Sequence, residues 1–355
     1  MDALTAPTLE ISRSRFLQNL TAVQDRIAPA QLMLAMKDDA YGHGVEWATT
    51  AATDAARAVQ FFGGYDVQTS LRIHEVAHGA KVFAWADSND DEITQALTAN
   101  IELGIGNADY LDHVIDTSSR LGVSARIHLK IDTGLHRNGI RPEDWSRVVT
   151  RAMQAQRAGL IEVVGVWSHL AEASDTEDDE SAREFRSAVA VLRAAGGDPE
   201  SLHLTASAAS WWRPELRGTV CRIGAFCYGI RSADGPQIPG VTPIASLRAR
   251  VVDVRESDVV IGLGALHGLP SILAGAAVGT PGGVREIVRI DATSTRLRGW
   301  TGARLGDTVA VFGAGEHGES DATGLAERID TVGEEIITRL TSGVRRVIVD
   351  GRAHV

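Results

Sequence analysis

The chain has 355 residues, more than one hydrophobic core usually serves, so a large domain with a smaller companion is expected. Its 44% hydrophobic and 23% charged residues are those of an ordinary globular protein, and a formal net charge of -11 argues against nucleic acid or an anionic membrane as main partner. The opening MDALTAPTLEISRSRF has neither a signal-peptide pattern nor a spanning apolar run, so a cytoplasmic location is expected. The two cysteines, Cys221 and Cys227, make no disulfide framework and no CxxC zinc spacing; buried thiols on a strand and no metal site are expected.

In chain order, Phe16, Leu20, Val23 and Ile27 recur at helical spacing and Pro29 closes that helix. LMLAM (Leu32 to Met36) then reads as a strand, and a helix begins after Gly44. The rhythm returns with VQFFGG, AKVFAW, IELGIG, ARIHLKID, IEVVGVWSHL and SLHLTAS, and CRIGAFCYGI is the last such strand. About eight strand-then-helix units point to an α/β chain built as a (β/α)8 TIM-type barrel, with reacting groups at the C-terminal strand ends. The acidic run Asp175 to Glu180 reads as a solvated loop.

From about Ile238 the pattern changes. SLRARVVDVRE, REIVRIDATSTRL and DTVAVFG alternate as β-strands between glycine-rich turns, and TGLAERIDTVGEEIITRL reads as one inserted helix. The expected division is therefore a barrel over residues 1–235 and a mostly β domain over 236–355. Gly313, Gly315 and Gly318 spell GxGxxG after a strand, but no repeated βαβ units surround them, so a nucleotide site is not expected.

A lysine ending an apolar strand is chemically unusual. MLAMK buries its approach and presents Lys37 at the barrel mouth, where desolvation would leave a neutral amine able to form a Schiff base with an aldehyde cofactor. The following DDAYGHG adds Tyr41 and a Gly-His-Gly turn opening a helix, which suits phosphate binding.

MKDDAYGHG resembles the cofactor-lysine signature of the alanine racemases, pyridoxal 5'-phosphate (PLP) enzymes with a barrel and a C-terminal β domain. HLKIDTGLHRNG, GVWSHLAEAS, HLTASAAS and CRIGAFCYGI resemble that family's further barrel motifs, in order. The resemblance implies that Lys37 is the aldimine lysine and the base on one face. It puts Tyr41, Ser207, Gly224, Ala225 and Tyr228 near the phosphate. It sets Arg222 against the pyridine nitrogen with His169 behind it, and Arg137 near the phenolic oxygen and substrate carboxylate. Lys130 matches a lysine that is often carbamylated in the family. Arginine keeps its proton and so leaves the pyridine nitrogen unprotonated, a weaker electron sink suited to proton transfer. The resemblance also implies a homodimer with shared sites and a small amino-acid substrate.

One feature departs from that family. Its second base is a tyrosine of the β domain, and here that position falls on Leu263, within VIGLGALHG. The four tyrosines are Tyr41, Tyr65, Tyr110 and Tyr228, so no realignment supplies one. The supporting terminal tyrosine falls near Ser342. Asp291 matches a substrate-side aspartate, with Ile290 in place of a methionine. His267, four residues beyond Leu263, is the candidate replacement base, against the plainer reading of a turn histidine. Three functions are expected, in order. The first is an amino-acid racemase acting on alanine or a related small amino acid; the second is another PLP reaction at Cα, such as one-sided exchange or decarboxylation; the third is a PLP-binding protein without turnover.

Overall fold

The computed structural model describes residues 6–349, and the chain forms two compact units. One comprises Val23–Ala40 and Val45–Gly224; the other comprises the chain up to Ala22, Tyr41–Gly44 and the chain from Ala225 onward.

After β1 (Thr8–Ser12) and α1 (Arg13–Ile27), eight parallel strands follow: β2 (Gln31–Ala35), β3 (Phe61–Tyr65), β4 (Lys81–Ala84), β5 (Glu102–Ile105), β6 (Ala125–Lys130), β7 (Ile161–Trp167), β8 (Ser201–His203) and β9 (Val220–Ile223). They are ordered β8-β7-β6-β5-β4-β3-β2-β9, and the Arg222 N–H donates to the Thr205 carbonyl (3.2 Å) where β8 meets β9. Between them run α2 (Lys37–Gly42), α3 (Val45–Thr53), α4 (Val67–Val76), α5 (Asp90–Thr98), α6 (Ala108–Leu121), α7 (Pro142–Arg157), α8 (Asp175–Ala194) and α9 (Ser207–Trp212). This is the expected eight-stranded barrel. Its strands are apolar almost throughout because both faces are covered. Met33, Phe61, Phe83, Trp167 and Val220 fill the interior, with Trp85 against them.

The second unit is a closed antiparallel barrel. β10 (Ala245–Val254) is long enough to pair with both β15 (Thr308–Phe312) and β11 (Asp258–Ile261), closing a cycle through β12 (Ala277–Thr280), β13 (Gly283–Ile290) and β14 (Thr295–Arg298). β1 pairs antiparallel with β10 and parallel with β16 (Arg345–Val349). Two short helices, α10 (Ala322–Glu327) and α11 (Gly333–Thr338), complete it.

Several expectations are corrected. The N-terminal segment does not belong with the barrel of residues 1–235, because β1 is hydrogen-bonded into the second sheet. CRIGAFCYGI is strand only over Val220–Ile223; Ala225–Tyr228 is a 3-10 turn closed by Gly229, whose φ of 72° places it where a Cβ would lie 2.1 Å from the Thr242 carbonyl. The acidic run opens α8, where Ser174 Oγ accepts the Glu177 N–H (3.2 Å) and the carboxylates suit a helix N-terminus. The single late helix is two, broken near Asp330, whose φ is 57°. REIVRIDATSTRL is a hairpin turning where the Asp291 N–H donates to the Ser294 carbonyl (2.8 Å). Among the described residues no helix is long and apolar enough to cross a membrane, and no cluster of ligands fit for a metal ion occurs.

Candidate active site

Lys37 follows β2 directly, with the Met36 N–H donating to the Gly63 carbonyl (2.8 Å). Asp38, Asp39, Ala40 and Tyr41 then hold φ of 54°, 55°, 53° and 56°. Four consecutive left-handed residues cost about 1–2 kcal/mol each, strain that other contacts must hold in place. The desolvation expected for Lys37 is absent: its side chain is 42% exposed, with Nζ 3.9 Å from Asp38 Oδ2. The phosphate site expected at the start of α3 is also corrected. The Val45 N–H already donates to Asp39 Oδ1 (3.2 Å), and that carboxylate also pairs with Arg72 (2.9 Å), so a carboxylate occupies the helix end.

The Arg222 side chain on β9 is held by five hydrogen bonds. Its Nη1 donates to the His203 carbonyl (2.7 Å) and His203 Nδ1 (3.1 Å). Its Nη2 donates to the Ser168 carbonyl (2.7 Å), the Leu204 carbonyl (3.3 Å) and His169 Nδ1 (3.1 Å). The indole of Trp167 lies 5.2 Å from its Cζ. Burial pulls the guanidinium down to about 10, still charged at neutral pH. Nε–H is its one donor group without a bond among the described residues. His169, as acceptor at Nδ1, carries its ring proton on Nε2. Burial and then the charges of Arg222, Arg137, Lys130 and Lys37 push it down to about 3, so it is neutral.

Lys130 ends β6, buried, with Nζ 4.4 Å over the Trp167 ring. Burial, then Arg222 and Arg137, lower it to about 8. Arg137 is exposed on the loop after β6; the neighbouring Asp132 carboxylate is bound by the Gly134 and His136 N–H groups (3.1 Å each). Ser207 begins α9, and its Oγ accepts the Gly224 N–H (3.4 Å). Lys37, Lys130, Arg137, His169, Ser207, Arg222 and Gly224 therefore all belong to the barrel unit.

Five further side chains of the barrel unit that sequence reasoning passed over bear on them, directly or through hydrogen bonds. Trp167 and Glu172 are two; Glu172 Oε1 accepts the Ala209 N–H (3.1 Å) and its carboxyl is raised by burial. The other three are Glu102, His128 and His203, all buried. The available signal was a lone carboxylate or imidazole inside an apolar strand, as in IELGIG and ARIHLKID, which must find a partner when buried.

The remaining expected residues lie in the other unit. Tyr41 and Tyr228 are buried with ring centroids 5.1 Å apart, and His43 stacks on Tyr228 at 5.1 Å. Ala225 opens the 3-10 turn, and Asn19 Nδ2 donates to the Cys227 carbonyl (3.2 Å). Leu263 is fully buried beside a glycine, Gly264, whose Cβ would lie 2.5 Å from the Asp291 carbonyl. His267 is 6% exposed; Nδ1 accepts the Gly264 N–H (3.0 Å), and its carbonyl accepts the Thr341 N–H (3.1 Å). Burial lowers its pKa. Asp291 pairs with Arg289 Nε (2.6 Å). Gly313, Gly315 and Gly318 lie in the turn between β15 and α10, where an added Cβ would meet Glu319 and Ser246, Glu319, and Val284 respectively.

The alanine racemase N-terminal domain profile matches residues 11–232. The chain belongs to the alanine racemase family. It is 32% identical to the alanine racemase of Thermobifida fusca, covering 93% of this chain and 94% of that one. It is likewise 32% identical to that of Beutenbergia cavernae, over 94% and 95%. Among solved structures, the alanine racemase of D-cycloserine-producing Streptomyces lavendulae superposes with a TM-score of 0.92 at 28% identity, covering 99% of this chain and 98% of that one. The enzyme of Streptomyces coelicolor A3(2) gives 0.93 at 27%, over 98% and 99%. The likeness spans both units.

Proposed function

We propose that this protein is a PLP-dependent racemase acting on alanine or a close small amino acid. The observation that carries the reading is the pairing, in one barrel, of a strand-end lysine amine with an arginine whose four other N–H groups are committed. The donor set fits the cofactor. An aldehyde needs an amine, supplied by Lys37. A pyridine nitrogen that stays unprotonated needs one fixed donor, and Arg222 Nε–H is the one left over. A phosphate needs hydrogen-bond donors, and with the Gly224 N–H donating to Ser207 Oγ (3.4 Å) the Ser207 hydroxyl hydrogen is the donor this pair offers. The phosphate roles of Tyr41, Ala225 and Tyr228 rest on the family resemblance.

When bound, PLP supplies an electron sink that acidifies the Cα–H of an attached amino acid. The chain's own groups do the rest. Lys37 Nζ takes or returns the Cα proton on its face. Arg137 binds the substrate carboxylate, and a carbamate on Lys130 would give Arg137 an anionic partner. The lowered Lys130 supports that modification, because the neutral amine is the form that reacts with CO2. Asp291 is kept as a substrate-side group, although it pairs with Arg289. On the second face, the burial of His267 and its bond to Gly264 favour water over this histidine as proton donor. A homodimer is proposed with this activity, on the family resemblance.

Borohydride reduction of the yellow holoenzyme should fix the cofactor on a peptide containing Lys37, and chiral chromatography should find D-alanine formed from L-alanine and the reverse. Label elsewhere, or no inversion across a panel of small amino acids, would refute the proposal. The fully buried Leu263 favours one second reading, Cα–H exchange on the Lys37 face without inversion.

A further inference from the structure

Arg222 is tied to the far end of the barrel through three buried side chains. His203 Nε2 and His128 Nδ1 are 2.9 Å apart, and His128 Nε2 is 2.8 Å from Glu102 Oε2. Glu102 Oε1 accepts from Arg126 Nε (3.1 Å) and Nη2 (3.0 Å). Glu102 is the first residue of β5 and Arg126 the second of β6, so the chain of bonds runs from the strand starts to the level of Arg222. Phe83 lies 4.6 Å from the His128 ring and 5.4 Å from that of His203, and Trp167 stacks on His203 at 5.8 Å and 7°. Gly165 makes the room: a Cβ there would lie 2.0 Å from His128 Nδ1.

Donor and acceptor roles are forced from one end. Arginine can only donate, so His203 Nδ1 accepts and its proton sits on Nε2. That proton makes His128 Nδ1 an acceptor, so the second proton sits on His128 Nε2 and is donated to Glu102. Burial favours a protonated Glu102, but the hydrogen bond from His128 and the charge and hydrogen bonds of Arg126 oppose it, and the carboxyl lies below the usual range. Every link thus agrees with an ionised acceptor at Glu102.

We propose that Glu102 and His128 are positioning residues that act through His203: an ionised carboxylate at the strand starts fixes two histidine tautomers and, through them, the orientation of Arg222. The significance of that orientation for PLP rests on the function proposed above; the tautomers do not.

Glu102→Gln tests it. The amide oxygen stays with Arg126, whose two donors reject an NH2, so the NH2 faces His128. His128 must then carry its proton on Nδ1, His203 must follow, and an N–H of His203 meets Arg222. In 15N-histidine-labelled holoenzyme, both rings should read as Nε2–H in the wild type and Nδ1–H in Glu102→Gln, while Glu102→Asp restores Nε2–H. The variant's dissociation constant for PLP should rise about tenfold, the loss of roughly one hydrogen bond to a charged group. Unchanged tautomers with unchanged PLP affinity in Glu102→Gln would overturn the proposal. If that variant does not fold, the wild-type spectrum decides alone, since an Nδ1–H or imidazolium signal from either histidine contradicts it. Protein that takes up no PLP yet shows the Nε2–H pattern would refute the racemase reading and leave the tautomer assignment standing.

Discussion

Burial, and then the charges of Arg222, Arg137, Lys130 and Lys37, hold His169 neutral, and this has a pH consequence. Its folded pKa, about 3, lies below the unfolded value of 6.5, so the unfolded chain takes up the proton first as pH falls. The stability this histidine leaves intact is present above pH 6.5 and is lost progressively as pH falls toward 3. Urea unfolding at pH 7 and pH 4 should show His169→Gln losing less stability than the wild type, by on the order of 2 kcal/mol after discounting for solvent screening. An equal loss would contradict the neutral assignment. Lys130, lowered to about 8, should give a 13C carbamate signal with 13CO2 that Lys130→Gln lacks. At this scale the sequence reads position well: Lys37, His169 and Arg222 lie at or near the ends of β2, β7 and β9. It reads poorly where the chemistry is a partnership. Glu102, His128 and His203 lie far apart in the chain, and only the barrel closes them into one line. The openness of Lys37 was also hidden, because an apolar approach says nothing about where the amine points.

Among the elements, the close approach of β7 to β6 depends on Gly165. The register shifts between Ile127 and His128 so that Gly165 lies opposite the imidazole. Gly165→Ala should cost about 1–3 kcal/mol by overpacking and should disturb both histidine signals, measurable by denaturant titration and 15N spectra. Ser174→Ala should cost about 1 kcal/mol by uncapping α8, with no effect on those signals. The barrel strands are legible because each is a short, nearly continuous apolar run between turn residues. The misread elements are those decided by caps and turns. Asp175 to Glu180 look like a solvated loop until Ser174 is recognised as a cap, and the late helix looks continuous until Asp330 turns left-handed. The left-handed turn after Lys37 has no sequence signal, since Ala40 and Tyr41 ordinarily avoid that conformation.

For the molecule as a whole, the boundary between units was the least legible feature. β1 is an ordinary alternating strand, and only its pairing with β10 and β16 assigns it to the second sheet. The proposed homodimer predicts a sedimentation mass of twice the chain at micromolar concentration; a single-chain mass would contradict it. The family resemblance puts Leu263 at the position of the second base, so the proposed function turns on whether a proton still reaches both faces of Cα. Separate incubation of L- and D-alanine with the holoenzyme in heavy water measures this directly. The account predicts that either enantiomer yields the other, with deuterium at Cα, and that Lys37→Ala does neither. Exchange with retention alone would replace racemisation by the one-sided reaction, and no exchange from either enantiomer would contradict catalysis at Lys37 altogether.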